Sequence, residues 1–469
     1  MGKAQETFNR MYGSDGMDWG QAIVPLANGE FVVAGASGGF GLSQDAYLLH
    51  LAADGDIITS NSFGGPNVDV LSDIAMLSDG SFFVIGTSNS FGDDYDVYWA
   101  VVNAAGTVSQ EGTIDSGDWD FGKRLVVADT GEIYLLCETY NGNTDRDLAV
   151  YQFSSSYAQN WSVQFESAGD DFVGDGLVNT NGNLVIGASR DDGEFTDPWV
   201  VVFNAAGDLV ADWVYPYQGM QTIHGIIQAN NGKYIALGTD ESDDSELGQQ
   251  DMLLMRFTQG GTEEWHSYWG GEGSDYGVAL IELSDNDIVI AGYTNSFGNG
   301  LPDAFNFKTY RLSPTGQYQS GQNLTVGGNG DEILNGIEFC PDEGYVMVGT
   351  STLENTNEYV HVVKADADNQ VISEPTIVGD PNNVEVTALD MHCDVYPLPA
   401  RDRLHIETPQ HFLGCTFALV DAQGRQTTRA ECLGSKTTVF TGMLRAGTYF
   451  LVCPDCAPSF KPQRVVIVP

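Results

Sequence analysis

The stretch SFFVIGT, residues 81–87, consists largely of strand-forming apolar side chains and ends on a glycine followed by a threonine. Related stretches occur six more times, ending at residues 35, 137, 187, 238, 292 and 349 with the sequences FVVAG, IYLLC, NLVIG, YIALG, IVIAG and YVMVG. Successive ends lie between 50 and 57 residues apart. A nearly constant period of this length predicts a chain built from repeats of one small structural unit.

Two series of mostly acidic residues keep step with this repeat. The first series precedes the apolar stretches and comprises Asp18, Asp69, Asp120, Asp171, Thr222, Asp275 and Asp331. The second series follows them and comprises Asp45, Asp96, Asp147, Asp197, Asp251, Asp303 and Glu358. The apolar stretches and the two acidic series thus share one period, so we expect seven copies of one unit.

Each unit contains four short apolar or alternating segments separated by turn signals. In the second unit the turns are Ser78-Asp79-Gly80 and Ala104-Ala105-Gly106, both typical of hairpins. Four antiparallel strands in 40–55 residues are typical of a propeller blade. The sequence therefore predicts an all-β chain with a seven-bladed β-propeller over residues 1–379. The glycine that ends each second strand is expected to allow close backbone approach between blades.

Closure of the ring requires a strand from one end of the repeats to complete the last blade. Two segments qualify, residues 5–13 and residues 371–378, and we expect the N-terminal strand to close the blade. The unit resembles the Asp- and Gly-rich propeller repeats of many secreted bacterial proteins, over about residues 5–380. That resemblance implies architecture, because the functions of such proteins are diverse.

The charge of the chain is strongly asymmetric. The formal net charge of −46 arises before residue 392, where the balance is −48, whereas residues 392–469 carry +2. Such acidity argues against binding to nucleic acid or anionic lipid, since phosphate contacts need clustered Lys and Arg. No apolar run approaches 18 residues, so no membrane span is expected. The acidity fits an extracellular protein in saline water or one surrounded by divalent cations.

The loops after the second strands are the longest and most variable, and aromatic residues recur in them. Aromatic rings among Asn, Asp and Gly can stack on sugar rings, so the candidate ligand-binding residues are Phe40, Phe91, Tyr140, Phe195 and Phe297. The alternative is that each ring packs between adjacent blades. The opposite face, built from short turns, is expected to offer little for binding.

The repeated Asp residues have two interpretations. A carboxylate at the start of a strand accepts backbone N–H bonds and fixes a loop, and its recurrence in every unit favours this structural role. No cofactor is predicted. Calcium is the one candidate metal, and Asp366 and Asp368 are weak candidate ligands because calcium prefers clustered oxygens.

Signatures of catalysis are few. Gly35-Ala36-Ser37-Gly38-Gly39 fits the nucleophile-elbow pattern, but it follows a hairpin strand and precedes no helix. A carboxylate pair for glycoside cleavage cannot be picked out among 65 acidic residues. We therefore predict no catalytic residues and expect a binding protein more than an enzyme.

A different composition begins after an acidic linker, residues 380–392. Residues 393–469 contain alternating strands separated by glycine turns, which predict a small immunoglobulin-like β-sandwich. The segment also carries, in order, Pro397 and Pro399, then Asp421, Gly424 and Arg425, then Gly447 and Tyr449.

These motifs resemble the type A sorting domain of the type IX secretion system. The first motif departs from the family pattern, because Leu398 stands where the family has Asn between the two prolines. The resemblance implies the type IX secretion machinery as a partner, and a protein secreted or held at the outer-membrane cell surface of a Gram-negative bacterium.

Five of the seven cysteines lie in this C-terminal segment, at positions 393, 415, 432, 453 and 456. In a small domain that matures outside the cytoplasm, one or two disulfides are expected. Cys137 replaces the glycine of the other units and is expected to be a buried thiol.

We therefore predict a cell-surface or secreted binding protein whose loop face recognises a glycan or protein ligand. The alternatives are a structural cell-surface component or a polysaccharide hydrolase or lyase.

Overall fold

Every element of regular secondary structure that the structure describes is a β-strand. The structure, a computed structural model, describes residues 6–468 except for 14–15, 39–42, 141–144, 166, 168, 243–248, 299–302, 353–356, 373–374, 380–393, 397–399, 402, 408–415, 422–424, 433–435, 443 and 453–462. The chain divides into two compact units, Met1–Val384 and Glu385–Pro469. The predicted linker, residues 380–392, lies outside the described residues, so the predicted domain boundaries remain predictions.

The N-terminal unit begins with β1 (Phe8–Gly13) and continues with sheets of four consecutive antiparallel strands. Sheet 1 contains β2 (Asp18–Pro25), β3 (Phe31–Ser37), β4 (Asp45–Leu51) and β5 (Ile57–Phe63). Sheet 2 contains β6 (Asp69–Met76), β7 (Phe82–Ser88), β8 (Asp96–Val102) and β9 (Val108–Ile114). Sheet 3 contains β10 (Asp120–Val127), β11 (Ile133–Tyr140), β12 (Arg146–Phe153) and β13 (Gln159–Gln164).

Three further sheets follow the same order. Sheet 4 contains β14 (Asp171–Val178), β15 (Leu184–Asp191), β16 (Thr196–Phe203) and β17 (Leu209–Val214). Sheet 5 contains β18 (Gln221–Gln228), β19 (Tyr234–Asp240), β20 (Asp251–Phe257) and β21 (Glu263–Trp269). Sheet 6 contains β22 (Asp275–Glu282), β23 (Ile288–Thr294), β24 (Asn306–Leu312) and β25 (Tyr318–Val326).

Sheet 7 takes strands from both ends of the unit. Its first three strands are β26 (Glu332–Phe339), β27 (Tyr345–Thr352) and β28 (Glu358–Ala365). The N-terminal β1 pairs antiparallel with β28, and β29 (Thr376–Gly379) then pairs parallel with β1. β1 thus occupies the place of the fourth strand, and the second candidate segment adds a fifth.

The pattern of burial follows the position of a strand within its sheet. The second and third strands are buried along almost their whole length, as in β8, whereas the fourth strand β9 alternates between half-buried and exposed residues. Inner strands are covered on both faces by neighbouring sheets, so their sequences are continuously apolar. The fourth strand faces solvent on one side, which matches the polar alternation of VSQEGTI, residues 108–114.

The seven sheets of the described residues contact one another in a closed cycle. The first strands touch in the order β2, β6, β10, β14, β18, β22 and β26, and β26 touches β2 again. A separate buried apolar cluster fills each interface between successive sheets, including one between sheet 7 and sheet 1 that contains Phe8, Phe31 and Val348. An all-β unit of repeated four-stranded antiparallel sheets in cyclic contact fits a β-propeller.

Each first strand carries a β-bulge after its third residue. The bulged residues are Gln21, Ser72, Lys123, Gly174, His224, Val278 and Asn335. Next to the bulge, a Cβ on Gly86 would lie 1.8 Å from the carbonyl oxygen of Val70. The missing side chain of Gly86 thus makes room for the first strand of its own sheet, where the bulge disrupts the ladder. The next sheet also approaches closely here, since a Cβ on Gly122 would lie 2.5 Å from the carbonyl oxygen of Gly86.

The C-terminal unit contains two antiparallel sheets. Its strands are β30 (Asp394–Tyr396), β31 (Arg403–Glu407), β32 (Thr416–Asp421), β33 (Gln426–Glu431), β34 (Lys436–Phe440), β35 (Gly447–Val452) and β36 (Gln463–Ile467). One sheet has the order β30-β31-β34, and the other has the order β33-β32-β35-β36. Residues from both sheets, among them Leu404, Phe417 and Leu451, form one buried core.

Candidate functional site: a central channel and a loop face

A channel runs through the centre of the N-terminal unit. A cavity of about 930 Å³ is lined by residues of all seven first strands, so it lies where these strands surround the centre. Two cavities of about 210 Å³ share Gln21, Arg124 and His224 with it. We refer to these connected spaces as the central channel.

The central channel carries a group of charged and titratable residues that the sequence analysis missed. Asp73, Arg124 and Asp175 occupy the fifth position of three successive first strands, where the other four sheets have Ala or Gly. His224 and Glu338 line the channel beside them. These five residues form what we call the channel cluster. The departure from the repeat at this position was the available signal.

Hydrogen bonds hold the two aspartates of the channel cluster in place. Asp73 accepts from the backbone N–H of Leu125 in the next sheet at 2.7 Å and from that of Ile74 at 2.8 Å. Asp175 accepts from the N–H of Gly176 at 2.8 Å. The Arg124 Nε donates to a backbone carbonyl at 3.3 Å, and in the described part of the chain no carboxylate lies within ion-pair distance of its guanidinium. The guanidinium therefore keeps donors for a ligand.

Burial shifts the ionisation of these groups towards their neutral forms. Desolvation raises the pKa of Asp73 to about 6 and that of Glu338 to about 8, and it raises the pKa of Asp175 as well. Desolvation, reinforced by the charges of Arg124 and Lys123, lowers the pKa of His224 to about 4. Near neutral pH the channel cluster thus carries a neutral imidazole, and the pKa of Glu338, whose side chain is exposed in the channel, is shifted towards the protonated form.

The channel also reaches the face built from short turns. Its lining includes Thr130 and Gly182, which lie in turns between first and second strands. That this face offers little for binding stays a prediction, and the space between its turns leads into the channel.

The opposite edge of the unit, where first strands begin and second strands end, is the loop face. The first residues of the first strands are Asp18, Asp69, Asp120, Asp171, Gln221, Asp275 and Glu332, and all are buried. In two units the sequence register was wrong by one residue, since Gln221 and Glu332 take the places assigned to Thr222 and Asp331. In the second series, strand pairing puts Pro198, Asn306 and Tyr359 in the places assigned to Asp197, Asp303 and Glu358.

These buried carboxylates fasten the loops that precede them. Asp69 accepts from the Gly65 N–H and the Ser90 hydroxyl, each at 2.8 Å, and from the Ser88 hydroxyl. Asp275 accepts in the same way from the Gly271 N–H at 2.8 Å. The hydrogen bonds agree with the structural interpretation of the repeated Asp series.

The structure separates most of the predicted ligand-binding aromatics. Phe91 stacks on Tyr98 of its own sheet with ring centres 5.5 Å apart, and the ring of Phe297 faces the Lys308 ammonium at 4.8 Å. Phe195 is partly exposed in another loop. Phe40 lies outside the described residues. Ligand binding by these residues remains a prediction.

Tyr140, in contrast, belongs to a group of four rings. It lies 6.2 Å from Trp119 and 6.1 Å from Phe121, measured between ring centres, and Tyr95 lies 5.8 Å from Trp119. We call these four residues the aromatic cluster. Trp119 is 49% exposed, so the cluster presents aromatic surface to solvent. Sequence reasoning missed Trp119 and Phe121 because they fall outside the loop that was compared between units, and it passed over Tyr95, which lies in that loop four residues after Phe91.

Three acidic side chains converge beside this cluster. Carboxylate oxygens of Asp94, Asp96 and Asp115 all lie within 4.8 Å of one another, which makes them the one described group that could hold a metal ion. Desolvation and the charges of Asp115 and Asp94 raise the pKa of Asp96 to about 6. Asp366 instead accepts the N–H groups of Asp368 and Gln370 in a turn. Calcium binding at Asp366 and Asp368 stays a weak prediction.

The structure describes only part of the predicted sorting motif. Asp421 ends β32, Arg425 is exposed, and Gly447 begins β35. Tyr449 is buried, and its hydroxyl donates to the Arg445 carbonyl at 2.9 Å. Pro397, Pro399 and Gly424 lie outside the described residues.

The cysteine predictions can be followed in part. Cys137 is a buried free thiol, and desolvation raises its pKa well above the usual value. The residues at 393, 415, 453 and 456 lie outside the described residues, so the disulfide prediction is not tested.

No family model and no curated protein matches this chain. Solved structures do match it. A PL25 ulvan lyase, a polysaccharide lyase, is similar with a TM-score of 0.54 and 11% identity, over 77% of this chain and 96% of the lyase. A PL25 ulvan lyase bound to -[GlcA(1-4)Rha3S]- gives 0.53 and 12%, over 76% and 96%. At such identity the likeness concerns the fold alone, and it agrees with a β-propeller.

A third match is PorZ, a surface component of the type IX secretion system of Porphyromonas gingivalis. It has 13% identity and a TM-score of 0.43, and the alignment covers 100% of this chain but 60% of PorZ. That TM-score is too low for the match to bear on fold or function. Within the described residues, no helix is long and apolar enough to cross a membrane.

Proposed function

We propose that the protein is a secreted or cell-surface binding protein that recognises a glycan through the aromatic cluster on its loop face. The observation that carries this proposal is the exposed ring of Trp119, which makes edge contacts with the rings of Tyr95, Phe121 and Tyr140. Exposed clusters of aromatic rings are uncommon on a folded surface without a partner, and their flat faces match the apolar faces of sugar rings.

The charge of the chain narrows the class of glycan. Residues 1–391 carry a balance of −48, so a polyanionic polysaccharide would be repelled from most of the surface. Neutral sugars pay no such penalty, and the acids on the loop face can accept their hydroxyl hydrogens. The expected ligand is therefore a neutral glycan.

The remaining parts of the proposal concern architecture and export. We infer that the seven sheets are the blades of a seven-bladed β-propeller, which their cyclic contacts support. The two C-terminal sheets with one shared core support an immunoglobulin-like sandwich. The resemblance of residues 393–469 to type A sorting domains supports export by the type IX secretion system to the surface of a Gram-negative bacterium.

The binding proposal is tested with a glycan array probed by the full chain, followed by titration of any bound neutral glycan. Trp119→Ala is expected to weaken binding at least about tenfold, because it removes the exposed stacking surface. Tyr318→Ala is the matched control, since Tyr318 is a similarly exposed aromatic residue on the fourth strand β25. A blank array, or equal binding by the Trp119 variant, would overturn the proposal and favour a structural surface role.

A second candidate function is cleavage of a polysaccharide in the central channel. The channel cluster favours it, because its acids and His224 have shifted pKa values of the kind used in acid–base chemistry. The PL25 ulvan lyases share the fold and act on a polysaccharide. Incubation with a panel of polysaccharides that includes ulvan, followed by detection of new reducing ends or unsaturated products, tests this function. Activity that Arg124→Gln abolishes would support it, and no product from any substrate would exclude it.

A further inference from the structure

We propose that Asp94, Asp96 and Asp115 form a calcium site on the loop face of sheet 2. Asp94 and Asp96 precede and begin β8, and Asp115 follows β9, so two loops supply the carboxylates. Their oxygens lie within 4.8 Å of one another. Oxygens bound to one calcium ion at about 2.4 Å can be at most about 4.8 Å apart, so the spacing allows a single ion to contact all three.

An unpartnered oxygen points to the same conclusion. Asp96 is only 2% exposed, and its Oδ1 is buried without a hydrogen-bond partner. A buried carboxylate oxygen without a donor is costly, because it has lost its water and gained nothing in exchange. A cation between the three side chains satisfies this oxygen and removes the repulsion among the carboxylates.

Comparison with the other sheets shows which partner Asp96 lacks. Asp147, at the equivalent position in sheet 3, accepts the N–H of Ser167 at 3.1 Å, from the loop after the fourth strand. In sheet 2 the corresponding N–H, that of Ser116, donates to Asp120 at 2.6 Å, as the Gly65 N–H of sheet 1 donates to Asp69. The oxygen of Asp96 therefore receives no bond from this loop, and the carboxylate of Asp115 stands beside it.

The choice of calcium follows from the ligands. Three carboxylates offer up to six hard oxygen donors, and calcium accepts irregular sets of six to eight oxygens, with water filling the rest. Magnesium demands a near-ideal octahedron and keeps its own water, so a site from two loops suits it less. The proposal stands whether or not a glycan binds to the neighbouring aromatic cluster.

The test is a calorimetric titration of the chelator-treated full chain with CaCl₂ in 150 mM KCl, a concentration of about physiological strength that screens diffuse attraction. The wild type is expected to show one saturable site. Asp94→Asn with Asp115→Asn should weaken its affinity at least about tenfold, and because these two residues are half-buried and exposed, the fold is expected to survive.

The matched control removes two acids from the same loops. Asp93 is exposed and Asp118 is half-buried, and neither belongs to the three converging carboxylates. Asp93→Asn with Asp118→Asn therefore changes the net charge equally and should leave calcium affinity unchanged. The proposal is overturned if both double variants lose affinity alike, if the wild type shows no saturable site, or if MgCl₂ binds as tightly as CaCl₂. Urea denaturation of each variant without calcium checks that the fold is intact.

Discussion

Two positions on the same seven strands differ in how faithfully they repeat. The first residue of the first strand is a carboxylate in six of the seven sheets and a buried polar side chain in all of them. The fifth residue is Asp73, Arg124 and Asp175 in sheets 2, 3 and 4, but Ala or Gly elsewhere. The two positions lie on one strand, a few residues apart.

This difference between the first and the fifth position separates residues that the fold requires from residues that it does not. A side chain required by every sheet recurs in every sheet, as the loop-fastening carboxylates do. A side chain required only once breaks the repeat, as Asp73, Arg124 and Asp175 of the channel cluster do. We expect substitutions at repeated positions to change stability, and substitutions at unrepeated positions to change ligand binding or catalysis.

The largest effect is expected for Asp69→Ala. This substitution leaves the Gly65 N–H and two serine hydroxyls without their acceptor inside the protein. We expect the free energy of unfolding to fall by about 3 kcal/mol, measured by urea denaturation. Asp129→Ala is the control, because Asp129 is an exposed turn residue, and its loss should cost less than about 0.5 kcal/mol. Equal losses of unfolding free energy for the two variants would contradict the structural role of the repeated carboxylates.

A smaller change in the free energy of unfolding is expected when the pH is varied. Burial raises the pKa of Asp171 from 3.8 to about 7 and that of Glu332 from 4.5 to about 7. The folded state then binds more protons than the unfolded state, so the stability that these groups contribute is complete below about pH 4 and is lost as the pH rises through about 7. We expect the free energy of unfolding to be lower at pH 8 than at pH 5, measured by urea denaturation at both values.

The double variant Asp171→Asn with Glu332→Gln sharpens this prediction. It removes both titrating groups while keeping their size, so the difference between pH 5 and pH 8 should shrink. Unfolding midpoints that rise with pH, or a double variant that behaves like the wild type, would contradict the assignment.

The smallest effect is expected for Arg124→Gln. Since the guanidinium donates to a single backbone carbonyl and has no ion-pair partner among the described side chains, its removal should change the free energy of unfolding by less than about 1 kcal/mol. A urea titration beside that of Asp69→Ala makes the comparison. If Arg124→Gln lowers the free energy of unfolding as much as Asp69→Ala does, Arg124 has a structural role and not a functional one.

Much of the fold was predictable because one physical requirement is repeated. Inner strands covered on both faces must be continuously apolar, and that pattern returns every 50 to 57 residues. The register of the acidic series failed at Gln221 and Glu332, where the neighbouring loops vary in length and only strand pairing fixes the alignment. The immunoglobulin-like domain and its sorting function remain predictions.

The candidate sites were less predictable, because averaging over repeats hides what occurs once. The aromatic residues of one loop were compared with their counterparts, and this comparison found Tyr140 but not Trp119, which lies in a different loop. Arg124 stood out from Ala22 and Gly225 at the same strand position, yet only the ring of strands shows that this position faces a channel.

The placement of β1 between β28 and β29 has a consequence for how the chain matures. β1 is synthesised before the other strands of the N-terminal unit, but Val363, the residue paired with Asn9, follows it by more than 350 residues. Until β28 exists, β1 is a strand without a sheet, and its exposed backbone is a hazard for aggregation. The N-terminal unit therefore cannot close until β28 has been synthesised, and closure joins the first strand of this unit to one of its last.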